Sequence, residues 1–140
     1  MESALCFGWI DGQKQKADEQ HWLQRFTPRG VRSKWSQINC RRATELLDLG
    51  RMRPSGVAEI DKAKADGRWD AAYQSPANAT VPIDLAAALD AEPAAREFFA
   101  TLNSRHRFSI LYRINDAKKP ETRAARIAKY VTMLKENKLI

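Results

Sequence analysis

The sequence predicts an α+β fold: an N-terminal β-hairpin packed with helices, followed by an all-helical C-terminal half. Three observations carry this. Residues 8–16 and 21–27 have strand character, the second rich in aromatics, and the turn-forming stretch Ala17-Asp18-Glu19-Gln20 separates them. Pro28 halts the second segment. From Ile83 onward, apolar residues recur at helical spacing.

Each element has a local reason. Residues 3–7 read as the last turn of a helix ahead of the hairpin. An isolated two-stranded hairpin is marginal in water, so it is expected to pair with a further strand or to pack on helices. A basic loop over residues 29–34 leads to a helix capped by Ser36 or Asn39, with Ala43, Leu46 and Leu47 on one side and Gly50 as its stop. Pro54 fits the first position of the next helix, whose apolar face is Val57, Ile60 and Ala63 and whose end is Gly67. Residues 69–82 read as a connector, turn-rich at Ser75-Pro76-Ala77-Asn78. Then come Leu85, Ala88 and Leu89, followed after Pro93 by Ala95, Phe98, Phe99 and Leu102. Ser104 is placed to start a helix with Phe108, Leu111 and Ile114 inward. Pro120-Glu121 opens the last helix, with Ala124, Ile127, Val131 and Leu134 as its stripe. The two parts are expected at residues 1–75 and 81–140, forming one compact unit.

The chain has 140 residues, enough to fold without disulfides or metal. Cys6 and Cys40 form no metal-binding or redox motif and are expected as reduced thiols. No apolar run approaches the length needed to span a bilayer, and the N-terminus lacks the features of a signal peptide, so a cytoplasmic location is expected.

The net charge of +7 is unevenly spread. Residues 1–24 hold two basic and four acidic groups, net −2, and residues 25–53 hold eight basic and two acidic groups, net +6. Residues 54–140 hold 14 basic and 11 acidic groups, net +3. A field concentrated in this way attracts phosphates, acidic protein surfaces or anionic headgroups.

No phosphate-binding loop, dinucleotide fingerprint, nucleophile elbow or zinc-like ligand spacing is present. His21 and His106 fall in unrelated elements. No catalytic residue, metal ligand or cofactor is therefore assigned, and the residues favour a binding role over an enzymatic one.

The candidate site lies where the charge is densest. Arg25, Arg29, Ser33, Trp35, Ser36 and Asn39 offer guanidinium forks, an aromatic face, hydroxyls and a helix start within a short stretch. Trp9 and Asp11 share one strand face beside them. These residues suit an anionic ligand or an acidic protein partner, and Trp35 suits stacking on a base. A purely structural reading stands beside this one. In it Trp35 anchors the helix to the hairpin, Ser36 and Asn39 are caps, and Arg25 and Arg29 pair with Asp11 or Asp18. A second basic strip, Lys118, Lys119, Arg123 and Arg126, is placed to form on and before the last helix, where a solvated face is the plainer reading.

Phe7-Gly8-Trp9-Ile10-Asp11-Gly12, Phe26-Thr27-Pro28-Arg29, the run from Ser33 to Asn39, Gly50-Arg51-Met52 and Gly67-Arg68-Trp69 appear in order. Together with the C-terminal run from Ala117 to Ile127 they resemble the YdeI/OmpD-associated (bacteriocin-protection) family. The resemblance implies a bacterial, stress-associated binding protein linked to porin association and to protection against bacteriocins or cationic peptides. It brings no catalytic residues. The family's pattern also implies a segment ahead of the Phe7 motif that is lacking here, which leaves a hairpin edge for a second copy to cover as a homodimer. Nucleic acid is the alternative partner that the basic charge suggests, and a small-molecule or anion site of unknown enzymatic activity is the other.

Overall fold

The computed structural model describes residues 1–140. It bears out the α+β expectation: a two-stranded antiparallel hairpin near the N-terminus, then helices. The elements are α1 (Glu2–Cys6), β1 (Trp9–Lys16), β2 (Trp22–Pro28), α2 (Gln37–Asp48), α3 (Pro54–Ala65), α4 (Ile83–Asp90), α5 (Pro93–Thr101), α6 (Ser104–Asn115) and α7 (Pro120–Lys135). Contacts divide the chain into two compact units, Met1–Gln74 and Ser75–Ile140.

In the first unit, β1 and β2 pair from Trp9↔Pro28 to Lys16↔Trp22, with an irregularity between Asp11 and Lys14. No third strand joins them. The hairpin root is held instead by α1 and by Arg29 N donating to Gly8 O at 3.0 Å. Its far end stands in solvent, since every β1 residue after Ile10 is exposed. Asp18 organises the turn by accepting from Gln20 N and His21 N and by meeting His21 Nδ1 at 2.9 Å.

Ser36 is the cap of α2, its Oγ accepting from Asn39 N at 3.1 Å, so Asn39 supplies the donor rather than the cap. Gly50 follows α2 with φ of 68°, a left-handed conformation that ends the helix at little steric cost. The unit's core is Leu5, Cys6, Trp35, Ala43, Leu46, Ile60 and Ala63. Val57 is only half-buried.

One correction concerns the connector. Its beginning is part of this core. Trp69 packs on Trp35 with ring centroids 5.0 Å apart. Tyr73 forms a parallel bridge with Ser36, through Tyr73 N to Trp35 O at 3.0 Å and Gln37 N to Tyr73 O at 2.9 Å. Local turn signals at 69–74 carry no information about this pairing, which spans more than thirty residues of chain.

The second unit is a helical cluster in which α7 packs on α4, α5 and α6. Leu85, Leu89, Ala95, Phe99, Ile110, Leu111, Ile114, Ile127, Tyr130, Val131 and Leu134 form its core, with Phe98 and Leu102 partly buried against it. Ala124 is exposed, contrary to the expected stripe, and Tyr130 lies inside instead. The stripe thus lies nearer the C-terminal end of α7, leaving its first turn to polar contacts. Phe108 is half-buried while Ile110 and Leu111 go inside, and Asn103 rather than Ser104 caps α6, accepting from His106 N at 2.9 Å.

Gly56 marks the tightest approach in the first unit. A Cβ there would lie 2.2 Å from Cys6 O and 2.6 Å from Met52 Cε. Alanine in a helix interior ordinarily gains stability over glycine. Here the sign reverses because a backbone carbonyl blocks the methyl group. Gly56→Ala is expected to destabilise the first unit by about 2 kcal/mol, read as a lower denaturant midpoint at unchanged slope; a neutral or stabilising result contradicts the close packing of α3 on the end of α1.

Candidate functional site

Arg29 directly follows β2 and turns back into the first unit. It is 6% exposed, and its guanidinium lies 3.7 Å from the centre of the Trp35 ring. Nη1 donates to Lys34 O at 3.0 Å, while Nε and Nη2 have no acceptor. Desolvation pushes the Arg29 pKa down from its ordinary value, partly offset by the electrostatic influence of Cys40 and Tyr73. The group remains a cation, given how far an arginine titrates from neutrality.

The loop that follows is tied by short-range bonds. Ser33 Oγ accepts from Gly30 N at 2.9 Å, and Ser33 O accepts from Arg68 Nη1 at 2.8 Å. Arg68 Nε meets both oxygens of Asp66, at 2.7 and 2.9 Å. Trp35 is 1% exposed between Arg29 and Trp69.

Arg29, Ser33, Trp35, Ser36 and Asn39 therefore meet at the hairpin–helix junction, each of them except Asn39 engaged through its side chain there. Trp9, Asp11 and Arg25 stay on the hairpin and are exposed. Three expectations are corrected. Trp35 is a core anchor and offers no open face to a base. Arg29 has no carboxylate partner; Asp11 acts on it only as a weak electrostatic influence. Asp18 serves the turn and His21, not an arginine.

The second basic strip also resolves into different roles. Arg123 bridges three helices. Its Nε and Nη2 hold the two Asp84 carboxylate oxygens on α4, the latter at 2.9 Å, and its Nη1 reaches Ile114 O and Asn115 Oδ1 at 3.2 Å on α6. Arg126 Nη1 donates to Arg113 O. Lys118 and Lys119 are exposed. Half of the strip is a clamp, and periodicity along α7 does not show it because Asp84 lies 39 residues away.

Reasoning from the sequence missed Arg68, Trp69 and Lys62 as neighbours of the Arg29 junction. The only signal for the first two was the Gly67-Arg68-Trp69 motif. No group of His, Cys, Asp and Glu is arranged to hold a metal ion. Cys6 and Cys40 are free, and burial pushes the Cys40 thiol up to about 11.

The Arg123 clamp has a pH signature. The Arg123 hydrogen bonds hold the Asp84 carboxyl below its ordinary 3.8, and Asp84 in turn raises the Arg123 pKa. The folded state thus binds a proton at Asp84 less readily than the unfolded chain does. Its contribution is fully present above 3.8 and is lost as pH falls through the lower folded value. Asp84→Asn is expected to flatten this part of the acid limb when helical circular dichroism is followed against temperature at a series of pH values. Arg123→Ala removes the clamp at every pH and is expected to cost about 1–2 kcal/mol.

Two family models match the chain in separate stretches. Residues 1–59 match a domain of unknown function, DUF8412. Residues 78–137 match the family described as Bacteriocin-protection, YdeI or OmpD-Associated, whose range takes in α4 to α7 with the Asp84–Arg123 clamp. No curated protein and no solved structure matches. Over residues 78–137 the chain is similar to the bacteriocin-protection, YdeI or OmpD-associated family.

Proposed function

We propose that this chain is a non-enzymatic, stress-associated binding protein that engages an acidic protein partner through the surface of residues 25–53, in the porin association that the family resemblance implies or the bacteriocin protection named in the family description. The observation that carries the reading is a set of exposed arginines, Arg25, Arg32 and Arg41, with no carboxylate in ion-pair contact. Other basic groups of the segment are already engaged. Arg42 and Arg51 share Glu2, and Arg29 is buried. Arginines left without partners keep their forks available for carboxylates on another molecule. Complementary charge also speeds encounter and confers salt dependence on it.

The test is binding of a purified outer-membrane porin to the immobilised chain. The wild type is expected to bind with an affinity that falls as salt rises, and the double variant Arg32→Glu, Arg41→Glu to lose most of the signal while keeping its melting temperature. Equal binding by wild type and variant removes the basic surface from the function.

A second reading has its own observation. Trp9 and Trp22 are 42% and 55% exposed on the hairpin, with Lys14 Nζ 4.9 Å over the Trp22 ring. Exposed aromatics flanked by cations are how single-stranded nucleic acid is stacked and neutralised. Under this reading Trp22→Ala weakens binding to an oligonucleotide by about tenfold, within the range for loss of one stacked base, whereas the porin assay is unchanged. A wild-type chain that fails to retain any oligonucleotide at low salt excludes it.

A further inference from the structure

Beside Arg29 lies a cleft of about 150 Å³ lined by Arg29, Val31, Glu59, Lys62, Asp66 and Arg68. Its charges sum simply. Arg29, Lys62 and Arg68 stand against Glu59 and Asp66, leaving one positive charge. Two of the cations already have carboxylates, Lys62 Nζ at 2.8 Å from Glu59 Oε1 and Arg68 Nε at 2.7 Å from Asp66 Oδ2. The unmatched charge is that of Arg29.

The two nitrogens of Arg29 that lack an acceptor are Nε and Nη2. They form the side-on edge of the guanidinium, whose parallel N–H bonds match the two oxygens of a carboxylate. The rest of the group is spoken for, because Trp35 covers a face and Lys34 O takes Nη1. A buried donor without an acceptor is unfavourable, and a buried cation more so. The chain carries both at one side chain, on the wall of a cleft with matching net charge.

We propose that this cleft binds a single carboxylate group, held side-on by Arg29 Nε and Nη2, whose charge the Lys62–Glu59 and Arg68–Asp66 pairs leave unmatched. A monocarboxylate balances the cleft's one surplus charge, whereas a phosphate near neutral pH overcompensates it. The small volume suits the carboxylate end of a ligand rather than a whole cofactor. Nε and Nη2 are sealed from bulk water, so entry moves part of the wall. Val31, 83% exposed on the loop after Arg29, is the most exposed lining side chain. The site is separate from the exposed arginines of the porin-binding reading and stands or falls without it.

The experiment follows the Arg29 Nε–H resonance in the full-length, nitrogen-labelled chain while sodium acetate is added against sodium chloride of equal ionic strength. A saturable shift confined to acetate is expected. Lys62→Glu changes an exposed cleft residue and turns the net charge from +1 to −1. It is expected to weaken acetate binding by about two- to fivefold, as loss of a partly exposed charge interaction does. A short peptide that competes with acetate as the free acid but not as the C-terminal amide identifies a polypeptide terminus as the source. Acetate binding with no competition from either peptide identifies small acids. Absence of a saturable Arg29 shift overturns the proposal, as does unchanged affinity in Lys62→Glu. So does a site that takes inorganic phosphate and not acetate, or acetate binding that persists in a folded Arg29→Met variant.

Discussion

The first unit depends on a guanidinium buried against an indole. Arg29 directly follows β2 and Trp35 precedes α2, so their 3.7 Å stack fixes the hairpin to the first long helix. A cation over an aromatic face is attracted electrostatically, more strongly where water is excluded. Trp69 then covers another part of the same ring, and Tyr73 pairs with the backbone on either side of Ser36. A hairpin with no third strand, a capped helix and the segment after α3 are thereby joined at one residue. Without that stack the hairpin would keep only α1 and the Arg29 N–Gly8 O bond at its root beyond its own ladder, which is marginal for two strands.

The second unit solves a related problem with a different arginine. Helix ends present unsatisfied carbonyls, and helix clusters must fix which faces meet. Arg123 does both, binding the Ile114 carbonyl near the end of α6 while its fork takes Asp84 at the start of α4. Asp84 stands in the first turn of α4, where a negative charge also favours the helix dipole. The pair is partly exposed, so its energetic weight is modest. Its value lies in orienting three helices that otherwise meet through apolar contacts and the Arg126–Arg113 O hydrogen bond.

Much of the fold was legible in the sequence because it is written in short-range chemistry. The hairpin follows from strand propensity around a polar turn, Ser36 from its cap chemistry, Gly50 from its left-handed stop, and the helix starts from Pro54, Pro93 and Pro120. What was hidden is long-range. Ser36 with Tyr73, Trp35 with Trp69, and Asp84 with Arg123 are each set by tertiary packing that no local period encodes. The same limit explains the candidate site. Composition located the basic stretch, but only three dimensions show that Arg29 turns inward while Arg25 stays in solvent.

The charge excess between residues 25 and 53 consequently has more than one physical meaning. A basic residue in sequence contributes to an external field only if it is neither neutralised nor desolvated. Arg42 and Arg51 lean on Glu2, which draws α1 toward α2 and the segment before α3, and Arg29 is withdrawn beneath the surface. Arg53 sits 6.0 Å from the Phe7 ring. The outward field is carried by fewer residues than the composition implies, with Arg25, Arg32 and Arg41 chief among them. Burial changes what Arg29 can do rather than cancelling its charge. In solvent its fork would be hydrated and would bind a carboxylate weakly; held against Trp35 with one edge lacking an acceptor, it is already stripped of water and oriented before any ligand arrives.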